Sequence, residues 1–111
     1  MVNKSKARGT RWESTIRGYL REWWPVERLA QNGSADRGDL IGVPNVTIEA
    51  KDHRRFELAA WLDETEKERQ TNGTRFGMLV VKRANKPVSR AYAIFPLEQA
   101  AELLRLAERT L

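Results

Sequence analysis

The sequence predicts a single α/β domain, a mixed sheet with flanking helices in the order αβββαββα. Three observations lead there. Apolar residues recur at helical spacing in three separate stretches, while alternating or short, continuous apolar runs form five others. Gly, Pro and Asn punctuate the junctions between them. A chain of 111 residues suits one hydrophobic core and leaves no room for a second.

Residues 1–9 carry Lys4, Lys6 and Arg8 without apolar periodicity, so they read as a flexible basic arm ahead of a domain spanning 10–111. Thr10 to Glu13 fits a capping box, with Thr10 as N-cap and Glu13 at N3. Trp12, Ile16, Tyr19, Leu20 and Trp23 then make one apolar helix face, which Pro25 ends. A first strand fits residues 26–30, and the polar, glycine-punctuated 31–38 is a loop. Extended segments 39–43 and 46–51 meet at a hairpin turn on Pro44-Asn45. In the second segment Val46, Ile48 and Ala50 share one face, and Thr47, Glu49 and Lys51 the other.

A helix over 56–72 would turn Leu58, Trp61, Leu62 and Thr65 inward, with Gly73 as its C-terminal cap. The nearly continuous apolar run 78–82 reads as a central strand buried on both faces. Asn85-Lys86-Pro87 turns the chain into a strand at 90–95. Pro96 precedes a last helix bearing Leu97, Ala100, Ala101, Leu104 and Leu106.

Composition narrows the chemistry. Without cysteine there is no disulfide, thiolate nucleophile or Cys-ligated zinc, and a single histidine, His53, excludes a multi-histidine metal centre. Any metal site must then be built on carboxylates, which favours Mg²⁺, with Mn²⁺ as substitute. The net charge of +5 favours polyanions as partners. No run approaches the roughly 20 apolar residues that span a bilayer, and the charged N-terminus is not followed by a signal-type apolar stretch. A cytoplasmic protein with no membrane partner is the expectation.

Four residues carry the candidate chemistry: Glu13, Asp39, Glu49 and Lys51. Glu49 and Lys51 lie two apart on one strand face, and the hairpin brings Asp39 beside them. Carboxylates that hold a divalent ion, with an ammonium alongside, suit phosphodiester hydrolysis. The Ala50 carbonyl offers a third ligand, and Lys51 could position water or balance charge on the transition state. Glu13 shares a helix face with Ile16 and Leu20 and could hold a second ion or a water. Each has a plainer structural reading as well. Glu49 and Lys51 could be the solvated face of an amphipathic strand, Glu13 the partner in the capping box, and Asp39 the end of a turn.

Gly9-Thr10-Arg11-Trp12-Glu13, then Asn32-Gly33-Ser34 through Gly38-Asp39, then Ile48-Glu49-Ala50-Lys51, resembles the archaeal-type Holliday junction resolvases. These belong to the PD-(D/E)XK nuclease superfamily, in which small phage-encoded members are common. The likeness runs in order through residues 8–83. It implies a restriction-endonuclease-like fold with an αβββαβ core, and a homodimer that nicks both strands of a four-way DNA junction using Mg²⁺. It also implies Glu13, Asp39, Glu49 and Lys51 as the catalytic set, with metal held by Asp39, Glu49, the Ala50 carbonyl and Glu13. Ser34 matches a loop serine ahead of the metal-binding aspartate. Gly38 replaces the superfamily proline, and Ser14 stands where an arginine usually follows the helix glutamate. For a phage-encoded member the setting would be the cytoplasm of a bacterial host.

Arg8, Arg11, Arg37, Arg54 and Arg55, with Ser34, are the candidate DNA contacts. Lys82, Arg83 and Lys86 decorate a hairpin, and Trp12, Trp23 and Trp61 are expected in the core. The last helix and the strand ending at Phe95 are candidates for a dimer surface. Two other readings use the same residues. One is a PD-(D/E)XK nuclease acting on flaps, forks, single strands or duplex, and the other a basic DNA-binding module without catalysis.

Overall fold

The structure, a computed structural model, describes residues 4–29 and 38–111. It is an α/β domain with a five-stranded mixed sheet and three α-helices in the expected order. The elements are α1 (Lys4–Leu20), β1 (Glu27–Arg28), β2 (Leu40–Ile41), β3 (Val46–Lys51), α2 (Leu58–Asn72), β4 (Phe76–Val81), β5 (Tyr92–Ile94) and α3 (Leu97–Glu108). A short 3-10 helix, Val88–Arg90, precedes β5. The strands lie in sequence order across the sheet. β3 and β4 are parallel, joined by α2, and every other pairing is antiparallel.

Strand alternation divides the core into two layers. Ile48, Leu40 and Val80 face α1 and pack with Trp12, Ile16 and Val26. Leu79 and Val81 face α2 and pack with Trp61. The Trp12 indole N–H reaches the Val80 carbonyl at 3.4 Å, so α1 is bound to the central strand by a polar contact inside an apolar layer. α3 lies beside α2. There the side chain of Gln99 accepts from the Gly77 N–H at 2.8 Å and donates to Glu66 at 3.0 Å. β5 pairs with β4 only from Leu79 to Val81, so Gln99 serves the backbone beyond that strand's reach.

Several expectations need correction. The segment read as a flexible arm is helical from Lys4, because Lys, Ala and Arg are good helix formers that carry α1 through Gly9 and Thr10. Thr10 therefore sits inside the helix and the capping box does not form. α1 ends at Leu20, so Trp23 falls on the turn beyond it and is 53% exposed rather than core. Tyr19, Trp23 and Trp24 cluster at the surface. β2 and β5 are shorter than expected, whereas β4 begins earlier, at Phe76. Leu58 is exposed, and the buried face of α2 is instead Trp61, Thr65 and Glu68.

The hairpin between β2 and β3 closes where expected, with Val46 N–H on the Val43 carbonyl and Asn45 at φ 63°. Gly42 enters this turn at φ 119°, where a Cβ would stand 2.5 Å from the Pro25 carbonyl oxygen. Gly42→Ala should therefore lower stability by roughly 2 kcal/mol or more. The reading is a fall in the urea midpoint at unchanged slope; an unchanged midpoint would contradict the close approach to Pro25.

Candidate functional site

Asp39 is held from three sides. Its carbonyl accepts from Leu29 N–H and its own N–H donates to Ile48, each at 2.9 Å, which continues the ladder past β2 in both directions. Its carboxylate accepts from Ala50 N–H at 2.8 Å. Leu40 pairs with Ile48 and shares its face. Asp39 and Glu49, each one residue along, accordingly share the opposite face, under α2. Lys51 C=O accepts from Lys82 N–H on the β4 side. By alternation, the Ala50 carbonyl turns to the β2 side, toward Asp39.

A cavity of about 310 Å³ opens at this end of the sheet, and Glu13, Asp39, Glu49, Ala50 and Lys51 all line it. Glu13 comes from α1, one turn on from Gly9 and two from Ser5, which line the same cavity. Its carboxylate accepts from Arg28 at 3.3 Å. Burial and the neighbouring charge of Asp39 raise its pKa, against the lowering effect of Arg28.

Glu49 is 3% exposed, so the strand face carrying it is covered by α2 and is not a solvated one. Burial pushes its carboxyl well up from the ordinary value, and the adjoining Asp39 and Glu68 push it further. Lys51 donates to Glu64 at 3.0 Å. Burial works to lower the Lys51 pKa, but the bond to Glu64 and the charges of Glu49, Glu64 and Asp39 outweigh it, and the net shift is upward. The ammonium therefore stays charged beside the acids.

Two α2 residues complete the site and were not singled out from the sequence: Glu64 and Glu68. Among the described residues, Glu49, Glu64 and Glu68 can each offer a carboxylate oxygen with all three within 4.8 Å of one another. A signal was available, since extending the Trp61 and Thr65 stripe by one turn reaches Glu68.

The donor set suits a hard divalent cation. It consists of carboxylates and one backbone carbonyl, and acids gathered this closely gain from added positive charge. Gly38, next to Asp39, adopts φ 90°, which proline cannot, and its absent side chain leaves room for the Glu68 carboxylate and Thr47.

Of the expected DNA contacts, Arg8, Arg11 and Arg54 line a second cavity of about 750 Å³ beside the first. Arg55 is exposed and lines neither. Ser34 and Arg37 lie outside the described residues. His53 lines both cavities, its ring 5.2 Å from that of Trp61. Among the described residues no helix is long and apolar enough to cross a membrane. The chain matches no protein-family model, no curated protein and no solved structure.

The raised carboxyls set a pH dependence whose sign follows from proton binding. Unfolded, Glu49 ionises near the ordinary 4.5, whereas folded it holds its proton to higher pH. Its contribution is whole below 4.5 and is lost as pH rises toward the folded value. In chelator, the wild-type urea midpoint should fall from pH 5 to pH 8 more steeply than that of Glu49→Gln. Parallel curves would sink this assignment.

Proposed function

We propose that the chain is a Mg²⁺-dependent DNA endonuclease of the PD-(D/E)XK type. The observation that carries this reading is the meeting of Asp39, Glu49 and Lys51 at one cavity, with Glu13 reaching it from α1. The αβββαβ order, with a β2–β3 hairpin and a parallel β3–β4 pair bridged by α2, supports a restriction-endonuclease-like fold.

In this reading Asp39, Glu49 and the Ala50 carbonyl hold the divalent ion. When bound, the ion draws charge from the phosphoryl oxygens and acidifies the attacking water. The residues of the chain do the rest. Hydrogen bonds to Leu29 and Ile48 hold the Asp39 backbone and the Ala50 N–H holds its carboxylate, so the carboxylate needs little reorganisation. Lys51, kept cationic by the surrounding acids, donates toward negative charge developing on the phosphorus oxygens. Glu64 limits where the Lys51 ammonium can go. Glu13 stands across the cavity, where it can accept a hydrogen bond from water.

The resolvase likeness makes a four-way junction the leading substrate, and Gly38 in place of proline is a requirement of the local backbone. A two-fold junction calls for a symmetric dimer, and α3 offers Leu97 and Leu104, 84% and 69% exposed and seven residues apart on one helix side, as a surface for it.

The test is cleavage of matched four-way junction, flap and blunt duplex in Mg²⁺. Paired nicks in the junction are expected, with Asp39→Ala and Lys51→Ala each slowing them at least about a hundredfold while binding survives. Equal cutting of all three substrates would keep the nuclease and discard the junction. Binding without cutting in either Mg²⁺ or Mn²⁺ would end the catalytic reading.

A further inference from the structure

Beside the acidic cavity lies the larger cleft of about 750 Å³, and the two share Asp52 and His53 in their linings, so they adjoin. Its cations come from three separate segments: Arg8 and Arg11 on α1, Arg54 after β3, and Lys82 and Lys86 after β4. Asp52 is the one carboxylate among its described lining residues. It stands 3.9 Å from both Arg8 and Lys82 and offsets part of their charge, leaving an excess of cations over carboxylates in the described lining.

The cleft also has aromatic surface. Lys82 sits over the Trp12 ring at 5.9 Å. Phe56, 42% exposed, is held edge-on against Tyr92 at 6.2 Å and rests on Trp61 at 6.0 Å. A surface that only tracks duplex phosphates needs cations alone. Of the Trp and Phe rings in its lining, Trp12 is buried and Phe56 is exposed, and an exposed ring among cations offers a stacking face to bases not paired with a partner strand. The volume falls in the range of small-ligand pockets, roughly 300–1,000 Å³, which fits a nucleotide or two and not the width of a duplex.

We propose that this cleft lodges an unpaired stretch of DNA strand immediately beside the phosphate presented to the acidic site. Phe56 stacks on a base, and Arg54 and Lys86 neutralise its phosphates. The placement beside a scissile phosphate rests on the nuclease reading above; the affinity for unpaired DNA does not. It makes branched DNA with unpaired nucleotides at the branch point the favoured substrate, whether junction, flap or fork.

The experiment is fluorescence anisotropy of the full chain in EDTA, on a labelled single-stranded 12-mer and its blunt duplex, across a salt series. Arg54→Ala/Lys86→Ala should weaken single-strand binding about tenfold or more and reduce its log–log salt slope by about 1.4, two phosphates at ~0.7 each. Phe56→Ala should weaken single-strand binding about fivefold or more and leave duplex binding unchanged. Phe56→Leu, which keeps packing volume but no ring, should do the same, with melting curves to verify folding.

Equal losses on single strand and duplex for every variant would overturn the proposal, as would single-strand binding indifferent to both Phe56 variants. A parallel cleavage assay in Mg²⁺ on a duplex with a single-stranded overhang separates the two readings. With a four-way junction cut in parallel, cleft-dependent binding with neither substrate cleaved would uphold the cleft and sink the nuclease. Cleavage of both unaffected by the cleft variants would uphold the nuclease and overturn the placement of the cleft beside the scissile phosphate.

Discussion

The site depends on how Asp39 is fastened. One residue is tied to Leu29 on one side and Ile48 on the other through its backbone, and to Ala50 through its side chain. These bonds lock the β2–β3 register. A slip of one residue would turn Glu49 and Lys51 to the α1 face and Ile48 into the acid site. The chain reaches and leaves Asp39 through Gly38 at φ 90° and Gly42 at φ 119°. Both are conformations that side chains resist, and both are places where another group comes close. The hairpin is thus positioned by backbone geometry as well as by hydrophobic pairing.

Around that anchor the fold accepts an electrostatic cost. Glu49 and Glu68 are 3% and 1% exposed, and Glu49 adjoins a second acid in Asp39. Burying such a group among like charges favours its neutral form. Apolar residues of similar volume would pack here without that cost. A cluster of this kind, with Lys51 at its edge, is stabilised by positive charge beside it.

α1 borders both cavities. Ser5, Gly9 and Glu13, four residues apart, form the stripe that lines the acidic cavity. Arg8, Arg11, Trp12 and Thr15 form the adjacent stripe and wall the basic cleft. A single helix therefore presents acid to one cavity and cations to the next, with Trp12 buried between them against the sheet. The beginning of the chain contributes to this wall only because it is helical; an extended arm would not hold Arg8 one turn from Trp12.

Local pattern alone was enough to order the elements and to place Glu49 and Lys51 on one strand face beside Asp39. Period-two alternation and a Pro-Asn turn depend on neighbours in sequence, and those neighbours carry the information. The helical start at Lys4 is invisible to apolar periodicity because a polar stretch shows none even when its residues favour helix. Trp23 shares the helical spacing yet lies outside α1, because an apolar spacing can run past the residue at which a helix stops. Glu64 and Glu68 were hidden for another reason. A glutamate on a largely polar helix looks solvent-facing until a strand is laid beneath it, and which face of α2 meets β3 and β4 is decided by packing across the sheet. Neighbours along the chain therefore fix the strand acids, the lysine and the element order. Packing between elements decides that α2 closes over them, that α1 lines both cavities, and that basic segments far apart in the chain meet beside the acids. Those are relations between elements, set by how their buried faces fit together.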